Sequence, residues 1–270
     1  MISVRPDGLA FLNEFRYGKK REALAGAMQS KTDGGSMRFL VLSDIHGDVP
    51  KIECLDEEFA RADAVLFAGD FSRFEETSTA QDVLNTLVKK HDTLFCVLGN
   101  CDEKSFLNEL EQLDVSVQGD LVFRDGLAFA GSGGGLRFTG VTPFERTEED
   151  LMSDLRIVNE KDNCGNLILL IHHPPYGTKL DTINGDVHVG SKAVRTFIEK
   201  YKPLALVSGH IHESFAVDTI GNTVLMNPGA LTEGRYGILE VERGDADAQH
   251  NAPWKITKAE LKNLPQAGHR

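Results

Sequence analysis

From Arg38 onward the chain alternates short apolar runs with segments whose apolar residues recur at helical spacing, and few architectures accept that pattern. Phe39-Leu-Val-Leu42, Ala64-Val-Leu-Phe67 and Leu94-Phe-Cys-Val-Leu98 read as buried strands. Ile52, Leu55 and Phe59, then Val83, Leu84, Leu87 and Val88, then Phe106, Leu107, Leu110 and Leu113 mark helix faces. Such alternation predicts right-handed β-α-β units. The middle of the chain changes character. Leu121-Val-Phe123 and Leu127-Ala-Phe-Ala130 flank Arg124-Asp-Gly126, which predicts an antiparallel hairpin. The glycine-rich stretch Gly131 to Gly135 reads as a tight turn at a strand end, since it lacks the ending of a phosphate-binding loop. A charged helix is expected around Glu145 to Glu160, then a buried strand at Leu167 to Ile171. Val194, Phe197, Ile198 and Tyr201 mark a last helix before the strand Leu204 to Val207. Phe215 to Val217, Thr223 to Met226 and Gly237 to Val241 make the end strand-rich.

Polar residues stand where five of these apolar runs stop: Asp44-Ile-His46, Gly69-Asp70, Gly99-Asn100-Cys101-Asp102, His172, and Gly209-His210-Ile-His212. In an open α/β sheet, ligands collect beyond the carboxyl ends of strands, so these distant positions can converge on one pocket. Four imidazoles, two carboxylates and one amide oxygen suit Mn, Fe, Co or Zn better than the all-oxygen shells of Ca or Mg. Two such ions about 3.5–4 Å apart share a carboxylate and a hydroxide, and the hydroxide attacks a phosphoryl group in line. Each motif alone has a plainer reading. Asp-x-His and Gly-Asp are common turns; Gly-His-x-His says more, because alternate residues of an extended segment face one side.

In this order the motifs resemble those of the calcineurin-like metallophosphoesterases: D-x-H, G-D, G-N-H-[DE], a lone His and G-H-x-H, from about Met37 to Val241. The resemblance implies an α/β (α+β) fold, a four-layer αββα sandwich of two mixed sheets flanked by helices. It implies that Asp44, His46, Asp70 and His212 hold a first metal, and that Asp70 bridges to a second completed by Asn100, His172 and His210. His172, which comes straight off its strand, is preferred to His173 as the lone ligand. Two divalent ions are expected as cofactors: Mn first, with Fe, Zn, Co or Ni as alternatives.

One departure matters. Cys101 stands where many family members carry His. A thiol donates hydrogen bonds weakly, so aryl diesters should survive the change better than alkyl monoesters. The expected function is therefore a dinuclear phosphodiesterase acting on a small-molecule or nucleotide phosphoester. The alternatives are a phosphomonoesterase or phosphoprotein phosphatase, and a scaffold that keeps the fold without turnover, as the retromer subunit of this superfamily does. Cys101, Asp102 and His173 are the candidate catalytic side chains; Arg137 and His188 are the candidate substrate contacts. Asp102 has a second reading as a helix N-cap, as has Ser191 beyond the polar rim segment Tyr176 to Ser191. His91, His250 and His269 read as solvent residues, and Asn227-Pro-Gly229 as a turn near the site.

The formal net charge of -12 disfavours nucleic acid and anionic membrane as partners. No stretch reaches the roughly 18 apolar residues of a membrane span, and no apolar leader is evident at the N-terminus. The four cysteines form no C-x-x-C pair, so a reducing, cytoplasmic setting is expected. Residues 1–36 read as an N-terminal extension and linker, with a short basic helix at Arg16 to Lys31. Residues 37–243 form the catalytic domain and 244–270 a tail packed on it. The oligomeric state is left open.

Overall fold

Within the first strand, odd and even side chains go to different cores. The computed structural model describes residues 35–138, 140–158, 164–244 and 253–265, all within the unit Gly35–Arg270. In β1 (Ser36–Leu42), Leu40 and Leu42 pack with one cluster, while Phe39 and Val41 pack with another. That is the period of two of a strand buried on both faces. β1 is flanked by β2 (Ala64–Phe67), parallel to it, and by β14 (Arg235–Arg243), antiparallel. β3 (Leu94–Cys96) and β15 (Trp254–Asn263) complete a five-stranded sheet in the order β15-β14-β1-β2-β3.

The second sheet has six strands, in the order β12-β13-β11-β8-β5-β4. These are β4 (Leu121–Arg124), β5 (Leu127–Ser132), β8 (Leu167–Ile171), β11 (Ala205–Val207), β12 (Ala216–Ile220) and β13 (Thr223–Asn227). The expected hairpin joins β4 to β5, with Asp125 and Gly126 both at positive φ, as a two-residue turn of matching twist requires. Four two-residue strands lie outside the sheets. β6 (Gly135–Leu136) pairs with β7 (Glu145–Arg146), and β9 (Thr182–Ile183) pairs with β10 (Val187–His188).

The sheets stack face to face through one apolar cluster, in which Phe129 stacks on Phe95 at 4.1 Å and meets Phe39 edge-on at 6.0 Å. Helices Val49–Glu53, Asp56–Arg61, Ala80–Lys90 and Leu107–Gln112 cover the outer face of the first sheet. Glu148–Ser153 and Lys192–Tyr201 cover that of the second. The result is the four-layer αββα sandwich. The charged helix expected from Glu145 is shorter than the sequence pattern: Glu145–Arg146 is strand, and helix starts only after the Thr147 capping box. The basic helix at 16–31, His250 and His269 lie outside the described residues.

The segment Trp254–Asn263 joins the first sheet through backbone pairing with β14, broken by a bulge at Glu240/Val241. Its Lys262 and Tyr236 of β14 meet Arg38 of β1 around Glu58, a 9% exposed carboxylate. Arg38 donates to Glu58 at 2.6 Å and Lys262 at 3.3 Å. Burial opposes the charge, but these two cations outweigh it and hold the Glu58 pKa below its ordinary 4.5. A depressed carboxylate stabilises the fold above the unfolded-state value and stops doing so as pH falls through the folded one. Glu58→Gln is therefore expected to lower stability by about 1 kcal/mol at pH 7. Thermal melts should show the difference shrink to nothing on acidification through the carboxylate range.

Candidate metal centre

The parallel strands of both sheets end at one edge, and the polar motifs follow those ends. Asp44 lies two residues past β1, Asp70 three past β2, Asn100 four past β3, His172 one past β8 and His210 three past β11. The backbone there is bent sharply. Among the described residues nine non-glycine residues have positive φ, and four of them are Asp44 (53°), His46 (47°), Asp70 (61°) and His210 (70°). Left-handed backbone costs an L-residue free energy and gathers at functional sites, held by the surrounding structure.

The seven side chains predicted as ligands meet in one cluster with Asp70 at its middle. Asp70 Oδ2 is 3.6 Å from His46 Nε2 on one side and 3.5 Å from His172 Nε2 on the other. On the first side His46 Nε2 lies 3.4 Å from His212 Nε2, which lies 3.3 Å from Asp44 Oδ1. On the second, Asn100 Oδ1 lies 2.9 Å from His172 Nε2 and 2.6 Å from His210 Nδ1. Ligand atoms of Asp44, His46 and His212, of Asp44, Asp70 and His172, and of His46, Asp70 and Cys101 all fall within 4.8 Å of one another.

The donor set fits divalent ions. The Ser72 carbonyl, 2.9 Å from His46 Nδ1, and the Ala68 carbonyl, 2.7 Å from His172 Nδ1, only accept, so both Nδ1 atoms carry hydrogen. In the neutral rings the Nε2 lone pairs then face the Asp70 carboxylate, and like ends of dipoles face each other unless a cation stands between. Protons alone can fill that role: burial discharges His172, but Asp70 and Asp44 outweigh it and push its pKa up to about 9. Burial also opposes charge on Asp44 and Asp70, yet the imidazoles hold both carboxyls below their ordinary value. The hydrogen bond to Asp44 raises His212, whereas burial and then His172 lower His210 to about 4.

The predicted catalytic residues separate. Asp102 is buried and accepts from the backbone N–H groups of Gly99 (2.7 Å), Ser72 (2.8 Å), Asp70 (3.1 Å) and Phe71 (3.3 Å). It ties the Gly69-Asp70 loop to the Gly99-Asn100 loop and so positions the candidate ligands; fully buried, it is closed to a substrate. Nor is it an N-cap: that place before the turn Lys104–Phe106 belongs to Glu103. Burial first, then Asp70, raises its pKa to about 6. Cys101 adjoins the cluster, its N–H donating to Asp70 Oδ1 at 2.8 Å, and burial with Asp70 and Asp102 pushes its thiol far up. His173 is buried with both nitrogens engaged: Nδ1 accepts from Leu136 N–H at 3.3 Å and Nε2 donates to the Val189 carbonyl at 3.1 Å. Burial and the neighbouring His210 keep it neutral, so it braces the site and is not a proton carrier. His91, read as a solvent residue, instead links the Ala62 carbonyl to the backbone of Thr93.

Of the predicted substrate contacts, Arg137 is exposed just beyond β6. β6 itself runs against the cluster: a Cβ on Gly135 would stand 3.1 Å from Asn100 Cβ and 3.3 Å from His210 Cε1. His188 lies on β10, its Nδ1 2.8 Å from Asp181. Ser191 caps its helix, accepting from Val194 N–H at 3.0 Å. The same helix end is occupied by the Glu148 carboxylate, which accepts from Lys192 and Ala193 N–H. Asn227 accepts from Gly229 N–H and donates to the Ile211 carbonyl, holding the His210-His212 loop. Sequence reasoning missed Glu233 and Arg235, which lie against His212 at Nδ1 (3.5 Å) and at its carbonyl (2.8 Å); neither carried a motif.

Comparison with known proteins agrees with this architecture. An uncharacterized protein of Methanocaldococcus jannaschii is 33% identical over 198 residues, 71% of this chain and 88% of its own. The crystal structure of TT1561 of Thermus thermophilus matches with a TM-score of 0.62 at 18% identity, over 85% of this chain and 99% of that one, a likeness of fold. The family model for calcineurin-like phosphoesterases matches residues 37–214. The chain belongs to the calcineurin-like phosphoesterases, hydrolases acting on phosphoester bonds.

Proposed function

We propose that this phosphoesterase is a two-metal phosphodiesterase acting on a small or nucleotide-derived diester. The observation that carries the reading is the place of Asp70, whose one carboxylate oxygen is shared by His46 and His172 at nearly equal distance. Asp44, His46, Asp70 and His212 would hold one divalent ion and Asp70, Asn100, His172 and His210 the other, with Mn the first choice for this mixed nitrogen and oxygen set. When bound, two such ions supply Lewis acidity and lower the pKa of water. The chain's own part is to fix those ligands: Asp102 clamps two loops, and the Ser72 and Ala68 carbonyls set the imidazole tautomers. Cys101 sets a weak hydrogen-bond donor where many family members carry His, which weighs against alkyl monoesters more than against aryl diesters. Free thiols at Cys54, Cys96 and Cys101 support a reducing, cytoplasmic setting. Among the described residues no helix is long and apolar enough to cross a membrane.

The test compares bis(p-nitrophenyl) phosphate with p-nitrophenyl phosphate, using protein loaded with Mn. Diester turnover is expected to exceed monoester turnover, and Cys101→His should raise the monoester rate at least roughly tenfold by supplying an imidazole. Absence of turnover of either ester at full metal occupancy would favour the scaffold reading instead.

A further inference from the structure

We propose that His188, oriented by Asp181, donates the proton to the leaving oxygen, an assignment that rests on the phosphodiesterase reading above. Asp181 is fully buried and fixed by the N–H groups of Gly177 (3.0 Å), Thr178 (2.8 Å) and Gly190 (3.0 Å). Its Oδ1 takes His188 Nδ1 at 2.8 Å. A carboxylate accepts only, so Nδ1 carries hydrogen and Nε2 is the nitrogen left for a substrate, in a side chain 35% exposed. A buried carboxylate behind an imidazole fixes its tautomer and orientation, as a general acid requires.

The backbone carries this pair toward the metal cluster. Pro175 and Ser191 bridge in parallel, joining the segment that ends at Ser191 to the one that follows His172. Nearer the cluster, His173 Nε2 donates to the Val189 carbonyl at 3.1 Å. The His173 ring lies 4.9 Å from the ring of His210, which touches Asn100. His188 is therefore one residue beyond a chain of contacts that ends on the ligands. Its neighbours are the Asp181 carboxylate and the Tyr176 ring at 5.7 Å, with the Lys192 ammonium over that ring at 5.1 Å. The other candidates do not serve. His173 has both nitrogens engaged, Asp102 is consumed by backbone N–H groups, and a guanidinium such as that of Arg137 does not release its proton.

In the step itself, the oxygen of water bonds to phosphorus and gives a proton to solvent. The bond from phosphorus to the leaving oxygen breaks, its electron pair going to that oxygen. The Nε2 proton of the His188 imidazolium follows, releasing an alcohol and a neutral imidazole that is recharged from solvent. The dependence on leaving group tests this. With Mn-loaded protein, His188→Gln is expected to lose roughly 100-fold on diphenyl phosphate, whose leaving group needs the proton. It should lose less than about fivefold on bis(p-nitrophenyl) phosphate. Metal content and melting temperature should match the wild type, and a histidine Nδ1–H resonance present in the wild-type protein should be missing from the variant. Equal losses on the two esters would overturn the assignment while leaving the phosphodiesterase reading intact. Failure of the wild type to turn over either ester would remove both.

Discussion

Asp70→Asn is expected to abolish most turnover, by about 10³-fold or roughly 4 kcal/mol of transition-state stabilisation, and to reduce metal stoichiometry below two. The substitution keeps the size of the side chain and one carbonyl oxygen. It removes the negative charge that both halves of the cluster share, since Oδ2 lies 3.6 Å from His46 and 3.5 Å from His172. It also sets an amide, whose nitrogen only donates, where two imidazole lone pairs converge. The same carboxylate has a structural duty, because Oδ1 accepts the Cys101 N–H at 2.8 Å and thereby closes the Gly99-Asn100 turn. Metal analysis of the dialysed variant separates these effects from a change of fold, provided its melt remains cooperative. Two ions retained with asparagine at position 70 would mean that the carboxylate is not shared, and the two-metal reading would fail with it.

The cluster was legible in the sequence because its signals are local. Each candidate ligand follows an apolar run, and a run of β period ends where burial ends, so a polar residue there stands at a strand tip. The side chains that hold the candidate ligands were not legible. Asp102 clamps residues about 30 positions away, and nothing in Asn-Cys-Asp distinguishes a clamp from a cap or an acid. Glu148 fills the N-terminus of a helix that starts at Lys192, a pairing no window of sequence can contain. His173 looked like a chemical group because it neighbours His172, but its environment, not its identity, disarms it.

The fold shows the same division between local and distant causes. The paired strands β6 and β7, and β9 and β10, are two residues long, too short for any periodicity. β15 hid for another reason. It is an edge strand, and Lys255, Lys258, Glu260 and Lys262 give it the polar look that protects sheet edges. Only Trp254, Ile256, Ala259 and Leu261 pack on the inter-sheet core. The glycines of the motifs were read as turn residues, and their larger role is closeness. A Cβ on Gly69 would stand 2.6 Å from Gly99 N, so the loops after β2 and β3 touch backbone to backbone.

That closeness makes Gly99→Ala the second large effect. The added methyl would stand 1.9 Å from Asp70 Oδ1 and 2.3 Å from Asp70 N, distances that no rotamer change can relieve because one partner is backbone. Either the Gly99 turn moves away from Asp102, losing the 2.7 Å hydrogen bond to its N–H, or Asp70 moves out of the cluster. Overpacking of a rigid site costs about 3 kcal/mol, which for a domain of this size lowers the melting temperature by roughly 6–12 °C. Metal binding should fall with it, since both escapes displace a ligand. Gly221→Ala is the control: its φ of +59° strains an added side chain, but nothing lies within 4 Å of its Cβ. It should lose only about 1 kcal/mol and bind metal normally. If Gly99→Ala melts like the control and keeps its metal, the two loops are not locked together, and the clamp assigned to Asp102 cannot be what sets the ligands.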